Sequence, residues 1–499
     1  MKPIPKLISK TKIMSGYRCV KALYLTIQNP ELVPPVGPAL QATFDQGNEI
    51  GVEARRRYPS GVLVDNKPWD FVGALKRTRE LIQSGTEVIF EGAFEYKGLF
   101  ARVDVLQYST ATQRWTMLEV KSATKIKPEY LDDAGFQAYV LANSGLPLEK
   151  ISILHINREC IAPDLRGLFN EVDVTQELRD RHPLIGPKLT EIFNGLRSPT
   201  VPAMDLGQYC TSGVGCTFKD YCFAQKEIPA VSVFNIPGLR DKVWDYYKAG
   251  QIHLEAVDTS ELSEAQRRMV EVQVNGKRFL NKEKIAESIG DWKYPLVFLD
   301  FETINPAIPR YPGTRPYQQV PFQFSVHVLR RPGGNLEHFE YLFLGEGDPR
   351  LELIPRLIEA CGEEGSIVSY FAKFESDVIT ELAQHFSEYH DELMGLIPRM
   401  VDPLPIVREA VYDPGFGGRF SLKVVAPSLL GAEFDYKGME VADGTAAQRA
   451  FDSVYRGGQT VEQIETIRQS MLEYCARDTL AMVELVKWLQ NPIEKPTKI

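Results

Sequence analysis

Alternating apolar and polar residues in the first half of the chain predict three consecutive β-strands. The segment VIFEGAFEYKGLFARVDVLQY, residues 88–108, alternates on either side of Lys97 and Gly98, which predicts a hairpin with its turn at that pair. RWTMLEVKSA, residues 114–123, predicts the next strand. Because residues two apart on a strand share a face, Glu119 and Lys121 are expected to point the same way.

The second half of the chain predicts another set of strands and helices. PLVFLDFET, residues 295–303, is an apolar run long enough for a fully buried strand. Residues 365–386 predict a short buried strand and then a helix, and a long helix is expected from Val461 to a stop before Pro492. Between the halves, residues 231–292 predict short amphipathic helices. The pattern therefore predicts an α/β protein with domains at 1–225 and 294–499, joined by a helical bridge at 226–293.

Length and charge exclude several classes of protein. With 499 residues the chain is long enough for more than one buried core. Its formal charge of −9 argues against a protein that holds nucleic acid by bulk basicity, although phosphates could still bind locally. No apolar stretch approaches the roughly 18 residues of a membrane span, and the N-terminal MKPIPKLISKTKIMSG lacks the apolar core of a signal peptide. We expect a cytoplasmic protein with no membrane partner.

The three predicted strands of the first half bring together a candidate metal site. Asp104 on the hairpin, with Glu119 and Lys121 on the next strand, would form a cleft of two carboxylates and one ammonium group. A divalent cation is the natural partner for such a group, because buried carboxylates are costly without one. The alternative from spacing alone is a surface hairpin with a cross-strand ion pair of well under about 1 kcal/mol.

Two short segments together resemble the active-site signature of the PD-(D/E)XK nucleases: VDV at 103–105 and LEVKS at 118–122. DDAGFQAYV, with Gln137, resembles the glutamine helix of their RecB-type members, and FDQGNEIGVEARRRYP resembles their first helix. The resemblance implies a restriction-endonuclease-like domain in which Asp104 and Glu119 bind Mg or Mn and Lys121 orients water or offsets phosphate charge. Where the family has His, this chain has Asn48, which leaves Glu49 as the nearest strong ligand.

The cysteines form a second candidate site in the same half. Cys210, Cys216 and Cys222 are spaced six apart near its end, and Cys19 lies far upstream. Four thiolates suit tetrahedral zinc or an iron–sulfur cluster, and burial in a loop-rich segment is the remaining alternative. One cysteine plus three around a RecB-like domain resembles the iron–sulfur nucleases, which implies a cluster, most simply 4Fe–4S, that ties the ends of the domain together. Three further cysteines lie in apolar or helical settings and are assigned to cores: Cys160, Cys361 and Cys475.

Acidic residues in the second half predict another metal site. Asp300 and Glu302 share one face at the end of the predicted buried strand. Glu375 opens a predicted helix, where a capping role is the alternative. Tyr474 and Asp478 are four apart and share a helical face. Four such carboxylates could converge on a pair of cations about 4 Å apart, which stabilise both the attacking and the leaving oxygen of a phosphate.

The order of motifs in this half of the chain resembles that of the DEDD exonucleases of the ribonuclease H-like fold. The order is Asp-x-Glu, then Phe-Glu at the start of a helix, then Tyr-x-x-x-Asp. The resemblance implies that Asp300, Glu302 and Asp478 bind metal and that Tyr474 positions the attacking water. Glu375 stands where the family has aspartate, with Asp377 as the reserve ligand.

Other polar segments allow more than one interpretation. NPAIPRYPGTRPYQQVPFQFS, residues 305–325, interleaves Arg310 and Arg315 with Tyr311 and Tyr317, a composition able to stack bases, and a rigid covering loop is the alternative. The bridge segment from Phe234 resembles a helix-hairpin-helix module only weakly, because it lacks Gly-x-Gly at its turn.

Together these patterns resemble an uncharacterised bacterial family that joins a RecB-like iron–sulfur nuclease to a DEDD exonuclease. They imply a metal-dependent nuclease that acts on nucleic acid, with DNA favoured over RNA, and that removes nucleotides from a 3′ end at its C-terminal centre. The alternative is a nucleic-acid-binding or assembly protein of a repair or defence system in which one or both centres are degenerate. Protein partners are not predicted.

Overall fold

The computed structural model describes residues 2–213 and 215–493, which fold into two compact units. Unit 1 comprises Met1–Glu227 and Pro306–Tyr317, and unit 2 comprises Ile228–Asn305 and Gln318–Ile499. Residues 228–293, expected to form a separate bridge, lie within unit 2. The loop at 306–317, which follows the Asp-x-Glu strand in sequence, lies within unit 1. The units are each mixed α/β, as the sequence predicts.

Unit 1 is built on one sheet with helices packed against it. Its strands are β1 (Ile8–Ser9), β2 (Val62–Leu63), β3 (Val88–Tyr96), β4 (Leu99–Ser109), β5 (Arg114–Lys121), β6 (Leu148–Ile156) and β7 (Phe169–Asp173). Its helices are α1 (Lys10–Arg18), α2 (Val20–Gln28), α3 (Pro38–Arg55), α4 (Phe71–Gln83), α5 (Pro128–Asn143), α6 (Thr175–Leu196) and α7 (Lys219–Gln225). The hairpin, the third strand and the glutamine helix are thus confirmed as β3–β4, β5 and α5.

The strand order of unit 1 explains how its polar residues meet. The order is β2-β3-β4-β5-β6-β7, with β1 pairing in parallel with β4. β4 and β5 are antiparallel, and β5 and β6 are parallel, with α5 between them in sequence. One apolar face of the sheet packs on α4, α5 and α6 through residues such as Phe94, Val103, Met117 and Phe136. The C-terminal end of β5 therefore lies beside the middle of β4, near the start of α5.

Unit 2 has a central sheet whose first strand is β9. Its strands are β8 (Phe279–Leu280), β9 (Leu296–Ile304), β10 (Val320–Leu329), β11 (Leu336–Leu342), β12 (Ser366–Val368), β13 (Met400–Val401) and β14 (Val411–Tyr412). Its helices are α8 (Val243–Lys248), α9 (Glu264–Asn275), α10 (Lys282–Ile289), α11 (Arg350–Cys361), α12 (Lys373–His385), α13 (His390–Leu396), α14 (Pro403–Ala410), α15 (Leu422–Leu430), α16 (Gly444–Arg456) and α17 (Val461–Gln490).

The position of β9 determines where the acidic residues of unit 2 lie. The sheet order is β11-β10-β9-β12-β13, in which β9 is antiparallel to β10 and parallel to β12. β14 and β8 form a separate antiparallel pair. β9 is buried along nearly its whole length, as its apolar run predicts, and α17 packs against β9 and β10. The polar end of β9 therefore lies beside α17.

Within the part of the chain that the structure describes, no helix combines the length and apolarity needed to cross a membrane.

Candidate active sites

The first candidate centre lies where β4, β5 and α5 meet in unit 1. Glu119 Oε2 accepts a hydrogen bond of 2.6 Å from Gln137 Nε2. Lys121 Nζ donates to Glu119 Oε1 at 2.7 Å. Asp104 Oδ2 accepts a 2.6 Å bond from the Val120 N–H, so the carboxylate lies beside the strand that holds the other two. The four residues predicted from the PD-(D/E)XK pattern are thus brought together.

Two further charged residues complete this centre, and sequence reasoning missed both. Lys10, the first residue of α1, donates to Glu119 Oε1 at 2.8 Å and lies 3.2 Å from Asp133 Oδ1. Asp133 also forms an ion pair with Lys121. Lys10 is 109 positions before Glu119, so no local spacing could have linked them. Asp133 lies four residues before Gln137, on the same face of α5, and that spacing was a usable signal.

The charges of the centre act on its two carboxylates in opposite directions. Burial and then the charge of Glu119 raise the pKa of Asp104 well above its usual range. Burial alone would raise the pKa of Glu119 as well, but the ammonium groups of Lys10 and Lys121 outweigh it and hold that pKa below its ordinary value. Asp104 is therefore the member whose ionisation depends most on an added cation.

A pocket of about 360 Å³ opens over Asp104 and Lys121. Its other wall is α3, from which Asn48 and Arg55 line the pocket. Glu49, proposed from sequence as a metal ligand, is not among the residues that line it, whereas its neighbour Asn48 is. Glu91 also lines the pocket and has a φ of +55°, an uncommon conformation for a residue other than glycine. Burial raises the pKa of Glu91, which with Asp104 is one of two acids that line the pocket.

The four cysteines assigned to a cofactor line one narrow cavity of unit 1. Cys19 separates α1 from α2, and Cys222 lies in α7. Apolar side chains including Leu25 and Phe218 surround the thiols. Burial, together with the charge of neighbouring thiols, raises the pKa values of Cys19, Cys210 and Cys222. The cavity contains all four predicted residues: Cys19, Cys210, Cys216 and Cys222.

The second candidate centre lies at the polar end of β9 in unit 2. Asp300, Glu302 and Asp478 each offer a carboxylate oxygen within 4.8 Å of those of the other two. Among the described residues, this is the one group of three or more His, Cys, Asp or Glu residues that meets this distance. Strand alternation turns Asp300 and Glu302 to one face, and α17 brings Asp478 to the same place.

A lysine and two tyrosines adjoin these carboxylates. Lys423, from α15, donates to the Tyr474 hydroxyl at 2.5 Å and to the Ala442 carbonyl at 3.0 Å. Its ammonium lies 4.4 Å from the centre of the Tyr474 ring and 5.2 Å from that of Tyr436. The Tyr436 hydroxyl donates to Asp478 Oδ1. Tyr436 and the role of Lys423 were not predicted, because their partners are 42 and 51 positions away.

Glu375 lies in the first turn of α12, where its carboxylate is 4% exposed. Its Oε2 atom has no hydrogen-bond partner among the described residues. Asp377, the reserve ligand, instead forms an exposed ion pair of 2.7 Å with Lys373 one turn earlier in the helix, so Glu375 is the buried acid of the two. Asp402 caps α14 and accepts hydrogen bonds from the Phe371 and Ala372 N–H groups, which hold the turn before α12.

Burial and mutual repulsion raise the pKa values of the acids in the second centre. For Asp300, burial and then the charge of Asp478 raise the pKa well above its usual range. Burial also raises the pKa of Glu302 and of Glu375, and Asp300 adds to both shifts. The ammonium of Lys423 opposes the rise at Asp300, Glu302 and Asp478. The arrangement therefore favours an added cation strongly.

The loop with alternating Arg and Tyr residues is anchored in unit 1. Tyr311 is buried, and the Ala162 N–H donates to the Thr314 carbonyl. The Tyr317 hydroxyl donates to the Ser122 carbonyl, next to Lys121. Both tyrosines are used in packing, which favours the rigid-loop interpretation of the sequence. In the bridge, the weak helix-hairpin-helix segment forms short turns and α8 beside a pocket lined by acidic residues such as Asp245 and Glu261.

Comparisons with known proteins find related sequences of unknown function. A family model described as a domain of unknown function (DUF2779) matches residues 297–421, a segment that includes Asp300, Glu302 and Glu375 and ends before Asp478. The uncharacterized protein MG366 of Mycoplasma genitalium is 23% identical over 237 residues, which cover 44% of this chain and 35% of that protein. The match thus spans about a third of that relative. Neither comparison names an activity, so the functional argument rests on the geometry above.

Proposed function

We propose that this protein is a metal-dependent nuclease with two centres, one in a PD-(D/E)XK unit and one in a ribonuclease H-like DEDD unit. The observation that supports this proposal most directly is the convergence of Asp300, Glu302 and Asp478 within 4.8 Å at the end of β9. A buried strand and a packed helix hold these acids in place, although burying like charges together opposes folding. Such an arrangement is typical of a site selected for binding a cation rather than for stability.

Mg or Mn fits the donor set of the second centre. The ligands are carboxylate oxygens, which hard divalent cations prefer. The free Oε2 atom of buried Glu375 offers a further donor near Asp300. Bound Mg or Mn would supply Lewis-acid stabilisation of a phosphoryl oxygen and lower the pKa of a bound water.

The protein's own residues then have distinct tasks in this centre. Tyr474 offers a hydroxyl whose oxygen is fixed by Lys423, so it can hold an attacking water in one orientation. The Tyr436 hydroxyl donates to Asp478 Oδ1 and so fixes the orientation of that carboxylate. Lys423 acts in this centre through its hydrogen bond to the Tyr474 hydroxyl. Together they support hydrolysis at a 3′ end, as in DEDD exonucleases.

The first centre supports the same chemistry with fewer proposed metal ligands. Asp104 and Glu119 are the ligands proposed for Mg or Mn, and Lys121 is the residue proposed to orient water. Gln137 holds Glu119 in position through its 2.6 Å hydrogen bond. Asn48 on the opposite wall is a weak ligand compared with an acid or His, so we expect slower cleavage here than in the second centre.

We further propose that the four cysteines bind an iron–sulfur cluster, with 4Fe–4S preferred over zinc. Their thiols line one apolar cavity, which suits a soft, buried group. A tetrahedral zinc site, with zinc–sulfur bonds of about 2.3 Å, would place its sulfurs about 3.8 Å apart. Among the described residues no group of three cysteines meets the 4.8 Å distance that the acidic triad meets, so the preference for a cluster rests on the resemblance to iron–sulfur nucleases and on the apolar cavity.

A cleavage assay tests the proposed activity. Purified protein is incubated with 5′-labelled and 3′-labelled single-stranded DNA, duplex DNA and RNA, each with Mg, with Mn and with EDTA. We expect metal-dependent products, with DNA cut faster than RNA. Asp300→Ala should remove the stepwise shortening from 3′ ends, and Lys121→Ala should remove the remaining cleavage.

The same assay distinguishes the second candidate function. If the wild-type protein binds the labelled strands but neither substitution changes the products, the protein is a nucleic-acid-binding or assembly factor with degenerate centres. Equal rates with EDTA and with Mg would contradict a metal-dependent nuclease.

A further inference from the structure

Two lysines share one carboxylate oxygen in the first centre. Lys10 Nζ and Lys121 Nζ lie 2.8 Å and 2.7 Å from the same atom, Glu119 Oε1. Both ammonium groups also pair with Asp133. Two positive and two negative charges are thus balanced within a few ångströms without any added ion.

This pairing occupies the carboxylate proposed to bind a cation. Glu119 Oε1 accepts from both lysines, and Glu119 Oε2 accepts from Gln137. A carboxylate oxygen has two lone-pair directions, so Oε1 has no further position for a cation while both lysines stay. A divalent ion can therefore reach Glu119 Oε1 only if one of the two lysines moves, whereas Oε2 keeps one lone-pair direction beside the Gln137 donor.

Lys10 is the donor that can leave most easily. Lys121 lies on the same strand as Glu119, and its ammonium also lies 5.3 Å from the centre of the Tyr130 ring. Lys10 reaches the site from α1, and its side chain is 23% exposed, compared with 16% for Lys121. Solvent next to Lys10 can accept the released ammonium group.

We propose that Lys10 is a positioning residue of the first centre that holds Glu119 and Asp133 in place of a cation in the metal-free protein and is displaced when a divalent ion binds. This inference rests on the proposed metal-binding role of Asp104 and Glu119. It makes Lys10 a competitor of the ion, so the apparent Kd of the centre for metal is higher than it would be without Lys10.

Chemical labelling of the wild-type protein tests the displacement without any substitution. The full-length protein is treated briefly with acetic anhydride, with and without Mn²⁺, and acetylation of each lysine is measured by mass spectrometry. In the metal-free protein, Lys10 should react slowly because two carboxylates hold its ammonium form. Mn²⁺ should raise its rate about tenfold, the effect of losing roughly one charged hydrogen bond. Lys12, exposed on the same helix, is the internal control and should not respond.

Metal titration gives a second, independent readout. Mn²⁺ binding is measured by electron paramagnetic resonance in an Asp478→Asn background, which weakens the second centre. Lys10→Met and Lys10→Gln should each bind Mn²⁺ at the first centre about tenfold more tightly, because no ammonium competes. Lys12→Met is the matched control and should bind as the background does. Two replacements of different polarity keep the test valid if one of them folds poorly, and thermal melts identify such a variant.

Three results would overturn the inference: Lys10 acetylation that is unchanged or slowed by Mn²⁺, weaker or equal Mn²⁺ binding in both Lys10 variants, or no Mn²⁺ bound at the first centre. These readouts do not depend on cleavage. If both tests give the expected results and the protein cuts no nucleic acid, the displacement of Lys10 is supported and the proposed nuclease function is wrong.

Discussion

Asp300 illustrates how a single residue links stability to function. Its half-buried carboxylate lies beside Asp478 and Glu302, and the Cys475 thiol lies 3.5 Å from its Oδ2. Burial and the charge of Asp478 raise its pKa well above the usual range. Without a bound cation, Asp300 therefore stays protonated in the folded protein at pH values above about 4. At the same pH, an aspartate of the unfolded chain has already released its proton.

The sign of this effect gives a pH prediction. Because the folded state binds more protons than the unfolded state, metal-free stability should fall as pH rises from about 4 through the raised pKa values of the acids. Asp300→Asn removes one ionisation and should stabilise the metal-free protein at neutral pH by about 1 kcal/mol, or about 2–4 °C in Tm. Melting curves in EDTA between pH 5 and 8 measure the difference.

Asp377→Asn is the matched control for that measurement, since Asp377 is an exposed acid of the same unit. Adding Mg should raise the Tm of the wild type and of Asp377→Asn by more than it raises that of Asp300→Asn, which keeps only the first centre. Two results together would contradict this account of the acids. The Tm of the metal-free wild type would not fall as pH rises, and metal-free Asp300→Asn would melt no higher than the wild type.

Lys423 gives a second prediction at the same scale. Lys423→Met removes the cation that contacts the Tyr474 hydroxyl and should lower turnover at 3′ ends about a hundredfold, a usual cost of losing one preorganised charge. Because Lys423 acts through Tyr474, the double variant with Tyr474→Phe should be little worse than either single variant. Rates at saturating Mg measure both effects.

Lys437, an exposed lysine of the same region, provides the control variant Lys437→Met, which should turn over as the wild type does. Strictly additive losses for Lys423→Met and Tyr474→Phe would show that the two residues act separately.

Which site residues sequence could identify depends on the distance between partners along the chain. Asp300 with Glu302, and Tyr474 with Asp478, are related by strand and helix periodicity, so local spacing predicts that each pair shares a face. Lys10 reaches its partner across 109 positions, and only the folded structure brings them together. Lys423 and Tyr436 were missed for the same reason.

Elements with strong end signals were predicted well. The long helix α17 begins after Thr460, whose side chain accepts from the Gln463 N–H, and it ends at Gln490, before Pro492. Strand β9 was predicted within one residue, because its apolar run is bounded by a proline and by two acids. The loop at 306–317 has no periodicity, so the sequence left its two interpretations open. Its packing in unit 1 depends on buried Ala307 and Tyr311.

The junction of α1 and α2 gives a prediction at the scale of elements. Cys19 at this junction lines the cavity with cysteines from residues 210–222, so a bound cluster would tie the two ends of unit 1 together. Cys216→Ala should lose the iron, the acid-labile sulfide and the brown colour of the wild type. It should also melt several degrees lower, since binding energy at such a site contributes to folding.

Cys160→Ala is the control, because the Cys160 thiol donates to the Asp164 carbonyl elsewhere in unit 1. It should keep the cluster. A colourless wild type with one equivalent of zinc, isolated without oxygen, would contradict the iron–sulfur assignment.

At the scale of the whole molecule, the proposed metal sites of the two units would give the negative chain a local means of binding phosphate. A net charge of −9 disfavours contact with a polyanion, but the acids of each centre would bind cations that attract phosphate. Sequence could predict the two α/β halves, because each has its own pattern of strands and helices. It could not predict that residues 306–317 fold with unit 1, because that division depends on tertiary packing rather than on local periodicity.

The most direct test of the central claim follows a 5′-labelled single strand of DNA over time with Mg, comparing the wild type with Asp478→Asn and Asp377→Asn. The wild type and Asp377→Asn should produce a ladder of strands shortened one nucleotide at a time from the 3′ end. Asp478→Asn should lose that ladder by about a hundredfold or more in rate, because one of the three converging ligands is gone. An Asp478→Asn variant that produces the ladder at the wild-type rate would contradict the proposed exonuclease centre.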